Sequence, residues 1–187
     1  EEYLKSIDEI NSVRAPLIFD DIFLEVALDK KLIKCIKDLI NGDFILNQSN
    51  LVINPPKKSF NQGFWHRDIP YQHFTISKPI SVNALFCVDD FTKENGSTAL
   101  IPGSHLFEDF PSKKYIENSA IQVEAKAGEF IIMNSMVYHG GSKNLSKNER
   151  IGINHVFSIP FFKQQIDLKK YLQEKKISEN SKKILGL

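Results

Sequence analysis

The sequence predicts a mainly β domain with flanking helices. Three features carry that expectation: an amphipathic lysine-studded segment near the start, a central stretch of short apolar runs broken by Gly, Pro, Asn and Asp, and a tail with apolar residues at helical spacing. At 187 residues the chain suits a single domain over 1–187. It divides into a helical segment to about residue 42, a β core over about 43–162 and a helical tail over about 163–187. A domain near this size buries about 70% of its unfolded surface, enough for a real core.

Taken in order, Asp29 to Ile40 sets Leu32, Ile33, Ile36, Leu39 and Ile40 at helical spacing with lysines between them, and Asn41-Gly42 supplies the stop. Phe44-Ile45-Leu46 and Leu51-Val52-Ile53 read as two short strands, the second closed by Pro55-Pro56. A lysine-bearing loop then leads to Trp65. Ile80 to Val88 alternates as a strand, Asp89-Asp90 to Asn95-Gly96 is a polar loop, and Pro102-Gly103 marks a turn. Gly128 opens the run Glu129 to Asn134. Met136-Val137-Tyr138 reads as apolar strand ending at His139, and Ile151 to Ile159 as a further strand. Leu168, Tyr171 and Leu172 recur at helical spacing, and the chain closes with Ile184-Leu185-Gly186-Leu187. It holds no internal repeat, heptad array or low-complexity tract.

Composition narrows the partners. A net charge of +1 gives no electrostatic reason to expect nucleic acid, and the basic tail from Lys163, seven lysines against three acids, lacks aromatic interleaving and reads as a solvated helical face. No apolar run approaches the ~20 residues of a membrane span, and Glu1-Glu2 does not open a secretory leader. Cys35 and Cys87 lie far apart and form neither a disulfide framework nor a zinc ribbon, so a reducing cytoplasmic setting is expected. Residue 1 is not methionine, which leaves a preceding segment open.

The chemistry concentrates at Trp65-His66-Arg67-Asp68 and at His139, which is followed by Gly140-Gly141. In an extended segment, residues i and i+2 face the same side, so His66 and Asp68 can present an imidazole and a carboxylate to one ion. With His139 they make up a 2-His-1-carboxylate ligand set of the kind that holds iron with positions left open. The bland counterpart is a surface His beside an Asp and a structural His139. Arginine is scarce here, with 21 lysines but only Arg14, Arg67 and Arg150, so Arg150 in an apolar strand points to a need for its planar fork as a carboxylate clamp. His105 reads as a turn residue, and His73 and His155 as structural or pocket residues. Phe60, Phe64, Trp65, Tyr71 and Phe74 are either core or the wall of an apolar pocket.

These motifs, in order, resemble the phytanoyl-CoA dioxygenase-like family of Fe(II)- and 2-oxoglutarate-dependent oxygenases. The likeness runs from the helix ending Leu39-Ile40-Asn41-Gly42 through Trp65-His66-Arg67-Asp68, Asp89-Asp90, Asn95-Gly96-Ser97 and Ile101-Pro102-Gly103-Ser104-His105. It continues through Ala127-Gly128-Glu129-Phe130, His139 with Asn144 and Ser146, Arg150, and Leu185-Gly186-Leu187. The resemblance implies a double-stranded β-helix, a cupin-like jelly-roll of two facing sheets with the metal between them near one open end. It implies Fe(II) on His66, Asp68 and His139, and 2-oxoglutarate as co-substrate on Arg150. Ser142 would set a hydroxyl against the same carboxylate, and Asn83 would touch the co-substrate. The implied reaction is hydroxylation of an unactivated C–H bond of a small molecule by dioxygen, with release of succinate and carbon dioxide. The presence of Asp68 favours hydroxylation, since related halogenases have a small residue there. This chain departs from many relatives in carrying Arg67, where glutamine is common. Two other readings compete: a non-catalytic jelly-roll binding module, and a cupin-type metal dioxygenase that uses no 2-oxoglutarate.

Overall fold

Alternating side chains build a two-faced sheet at the centre of the molecule, seen in a computed structural model that describes residues 10–58, 61–69 and 75–187. The larger sheet is antiparallel, in the order β1 (Ser12–Arg14), β2 (Ile45–Asn54), β8 (Arg150–Ser158), β3 (Ser81–Cys87), β6 (Phe130–Asn134). A smaller sheet has the order β5 (Ile121–Gln122), β4 (Thr98–Leu100), β7 (His139–Gly141). This is the expected mainly β jelly-roll with helical flanks.

One face of the larger sheet is apolar. Leu46, Val82, Ala84 and Phe157 are buried there in one cluster with residues of four helices. These are α1 (Asp21–Ala27), α2 (Lys30–Ile40), α4 (Lys169–Leu172) and α5 (Glu179–Leu185). Local chemistry sets their ends. Asp29 Oδ1 accepts from the backbone N–H of Lys31 and Leu32, both at 2.9 Å, capping α2, and Asn41 stops it in the left-handed region at φ 53°. Gly186 caps α5 at φ 72°, where it lies close against Gln164. A further helix, α3 (Lys113–Ser119), has no buried residue.

The other face of the same sheet is largely polar. The register places Gln48 opposite Val156, Asn50 opposite Asn154, Val52 opposite Gly152 and Asn54 opposite Arg150. It also places Asn83 opposite Val156 and Leu85 opposite Asn154. Residues directly opposite share a face, so amides and the arginine line the side turned away from the helices.

Two expectations need correction. The two short strands around residues 44–53 are one ten-residue strand, β2, with an irregular register between Leu46 and Gln48. Its polar middle stays in the sheet because Ser49 Oγ bonds His155 Nδ1 at 3.1 Å and Asn47 Nδ2 donates to the Lys163 carbonyl at 3.1 Å. Met136 to Tyr138 is a turn, held by the Asn134 side chain accepting from Met136 N–H at 2.9 Å, so His139 opens a strand instead of ending one. Between the loop ending at Gly96 and the Pro102-Gly103 turn the chain forms β4, a strand the sequence reading did not name. Phe60, Tyr71, His73 and Phe74 lie outside the described residues. Among the described residues no helix is long and apolar enough to cross a membrane.

Candidate metal centre

The two distant histidines meet through the backbone. His66 N–H donates to His139 O at 2.9 Å and His139 N–H to His66 O at 3.0 Å, an antiparallel bridge along the free edge of β7. Directly paired residues project to one side, and their rings lie 4.5 Å apart between centroids. Asp68, two residues on, shares that side. Its Oδ1 lies 3.3 Å from His66 Nε2 and 3.7 Å from His139 Nε2. One nitrogen or oxygen from each of the three falls within 4.8 Å of the others.

The remaining polar atoms of these residues are tied down. His66 Nδ1 lies 2.7 Å from Phe64 O, and His139 Nδ1 lies 2.9 Å from Val137 O. Each carbonyl fixes the proton on Nδ1 and leaves the Nε2 lone pair facing the partner residues. Asp68 Oδ2 accepts from Asn83 Nδ2 and from Asn154 Nδ2, the latter at 2.6 Å, so only Oδ1 faces the histidines.

Electrostatics follow from that arrangement. Burial alone would raise the Asp68 pKa, but His139, the His66 hydrogen bond and charge, and the Asn154 amide together hold its carboxyl well below the usual range. For His66, burial pulls downward, yet the Asp68 bond and charge outweigh it and the pKa is raised. Burial pushes His139 down despite Asp68, with His66 adding to the effect. Two imidazole Nε2 atoms beside a committed carboxylate suit a divalent cation, whose binding takes the place of any proton on them. The donor set therefore fits a 2-His-1-carboxylate ion, the reading made from the sequence.

Arg67, between the two candidate ligands, faces the opposite way. Its Nη2 donates to Ser104 O at 2.7 Å and to Phe107 O, and its guanidinium lies 4.1 Å from the Tyr138 ring centroid. It ties the ligand segment to the 104–107 turn. Arg150 is also buried, at 3% exposure. Its Nη2 donates to Gly96 O at 2.9 Å, and its guanidinium stacks 4.0 Å from the Phe91 centroid. Nε has no hydrogen-bond partner among the described residues. Burial lowers its pKa to about 10, so it remains a cation at neutral pH.

Arg150, Asn154, Leu85 and Met133 of the larger sheet, with His66, His139 and Thr98, line a cavity of about 50 Å³. A wider cleft of about 370 Å³ adjoins it, sharing His66, Gln62, Val52 and Asn154. Ser142 lines a different cleft, together with Lys57, Lys58 and Lys143. Asn83 is engaged by Asp68, and its oxygen accepts from Ser135. His105 lies in the 104–106 turn, and His155 is buried against Ser49. Asn154 escaped the sequence reading. Its signal was available, since it stands four residues after Arg150 on the same alternating face.

The sequence profile of the phytanoyl-CoA dioxygenase family matches residues 4–152. An uncharacterised protein of Mycobacterium tuberculosis is 31% identical over 173 residues, covering 89% of this chain and 62% of that protein. The chain thus spans less than two thirds of that relative's length. An Fe(II)/2-oxoglutarate-dependent dioxygenase of Aspergillus novofumigatus is 35% identical over 85 residues, 43% of this chain and 28% of that one. Among solved structures, EctD of S. alaskensis with 2-oxoglutarate and 5-hydroxyectoine superposes with a TM-score of 0.69 at 20% identity, covering 81% of this chain and 57% of that one. At that identity the likeness establishes the fold.

Proposed function

Since this chain belongs to the phytanoyl-CoA dioxygenase family, we propose that it is an Fe(II)- and 2-oxoglutarate-dependent dioxygenase that hydroxylates an unactivated C–H bond of a small molecule. Iron would be held by His66 Nε2, His139 Nε2 and Asp68 Oδ1, the three atoms already turned toward one another. Bound iron with 2-oxoglutarate supplies the activation of dioxygen, with succinate and carbon dioxide as by-products. The protein supplies the rest. The Phe64 and Val137 carbonyls orient the imidazoles, while Asn83 and Asn154 hold Asp68 to one free oxygen.

The observation that carries this reading is Arg150. A guanidinium buried with an unpartnered Nε costs free energy until an anion pairs with it. Its planar fork matches a carboxylate, and it lines the same cavity as the two histidines. Neither competing reading needs that clamp. A binding module has no use for the converging donors, and a cupin-type dioxygenase without 2-oxoglutarate has no use for the buried arginine. A five-carbon diacid needs more room than the cavity offers, so its lining would have to give way on binding. Ser142 and Asn83 stay in the proposal as lesser contacts to the co-substrate, Ser142 from the neighbouring cleft.

Anaerobic titration with Fe(II) and then 2-oxoglutarate tests the proposal. A visible metal-to-ligand charge-transfer band is expected in the parent and absent in His139→Ala. Arg150→Ala should weaken 2-oxoglutarate binding on the order of a hundredfold while leaving iron affinity nearly unchanged. Equal loss of both in a folded variant would remove Arg150 from this role.

A further inference from the structure

The wider cleft beside the candidate metal ligands has an unusual lining. Of the described side chains around its roughly 370 Å³, only Val52 is aliphatic. Five end in carboxamides: Gln48, Asn50, Gln62, Asn154 and Gln165. Small-molecule pockets are mostly apolar with a few placed polar groups, so this balance is inverted.

The amides form a chain that stops short of satisfying itself. Gln48 Nε2 reaches Asp68 O at 3.5 Å, and Asn50 Nδ2 reaches Gln48 Oε1 at 3.4 Å, both at the outer limit of a hydrogen bond. Asn154 Nδ2 is committed to Asp68. Asn50 Oδ1 and Asn154 Oδ1 are buried and have no hydrogen-bond partner among the described residues. These two residues sit directly opposite each other in the β2–β8 register, so two unfilled acceptors lie side by side next to the metal ligands.

We infer that the cleft binds a hydroxyl-rich small molecule, of the sugar or cyclitol class, and not a hydrocarbon or fatty-acyl chain. A hydroxyl both donates and accepts, so a row of them can fill Asn50 Oδ1 and Asn154 Oδ1 while accepting from the amide N–H groups of Gln48, Gln62 and Gln165. An alkyl chain would seal these amides from water unpaired, at about 1–3 kcal/mol for each group. The inference rests on the reading of His66, Asp68 and His139 as the reaction centre, because it is their proximity that makes this cleft the substrate side.

Saturation-transfer NMR on the purified chain without added iron tests this, with glucose, methyl glucoside and myo-inositol as one arm and octanoate and octanoyl-pantetheine as the other. Transfer to at least one polyol and to neither acyl probe is expected. Asn50→Leu and Gln48→Leu, each checked for folding by circular dichroism, should weaken polyol binding about tenfold, as loss of one or two buried hydrogen bonds implies. If one variant fails to fold, the other still decides. Transfer to an acyl probe alone, no polyol bound, or polyol binding unchanged in the folded variants overturns the inference. The same protein batch is titrated for the iron–2-oxoglutarate band. A band without polyol binding rejects the substrate class and keeps the cofactor reading, and polyol binding without a band does the reverse.

Discussion

At the scale of single residues, the candidate ligands were legible because they obey local rules. His66 and Asp68 stand two apart in extended backbone, and alternation puts both on one side whatever the rest of the chain does. Arg67 between them was left without a direction by the sequence, and what it meets is a long-range matter: the Ser104 and Phe107 carbonyls and the Tyr138 ring. His155 shows the complement. It reads as a structural or pocket histidine, and burial, with Ser49 the one hydrogen-bond partner of its ring among the described residues, pushes its pKa down to about 3. In the unfolded chain it titrates near 6.5. Between those values the unfolded state binds the extra proton, so this group's contribution to stability is full above about pH 6.5 and is lost as pH falls toward 3. Replacing His155 by Gln should flatten the fall in stability across that window, by up to about 1.4 kcal/mol per pH unit. Urea unfolding of parent and variant at a series of pH values reads it, and parallel slopes would show that His155 titrates freely.

At the scale of elements, β8 carries the most chemistry per residue. Its alternating positions present Arg150, Gly152 and Asn154 to the inner face, the first to the small cavity, the last to Asp68. Gly152 between them is small for a reason: a Cβ there would lie 2.8 Å from Phe91 Cζ and 3.2 Å from Leu85 Cδ1. Phe91 is the ring against which Arg150 stacks. Gly152→Ala should therefore push the ring and loosen the clamp, weakening 2-oxoglutarate several-fold in the anaerobic titration. Its stability cost should stay near the 1–3 kcal/mol typical of overpacking. Iron affinity should hold, since the His66–His139 bridge lies on the opposite sheet. A loss of iron binding that matches the loss of co-substrate would mean the strand as a whole had shifted. The polar centre of β2 was misread as a gap between two strands for a related reason. Gln48 and Asn50 look like loop residues until a cleft is there to receive them.

At the scale of the whole molecule, the larger sheet divides labour between its faces. Helices α1, α2, α4 and α5 bury one face with Leu46, Ala84 and Phe157, and the other is left free to be polar. The tail is part of that arrangement. Leu172 and Leu185 are fully buried, and Gln164 Nε2 bridges Leu46 O at 2.9 Å and Leu185 O at 2.8 Å. Leu172→Ala and Leu185→Ala should each cost about 2–5 kcal/mol, as buried leucines do, read from thermal unfolding. The charge-transfer band should survive in the folded fraction, because neither residue touches the inner face. Loss of the band in a folded variant would show that the outer core sets the site geometry directly. By itself the sequence determined the class of fold, the α2 helix with its stop and the identity of the candidate ligands, since periodicity, capping and i, i+2 alternation act within a few residues. Only the tertiary structure decided that His66 and His139 share one bridge, that Arg67 turns away from the site, and that Asn83 and Asn154 converge on Asp68. Those contacts depend on strand register between distant segments, and register is settled by the packing of the whole core, which no local window contains.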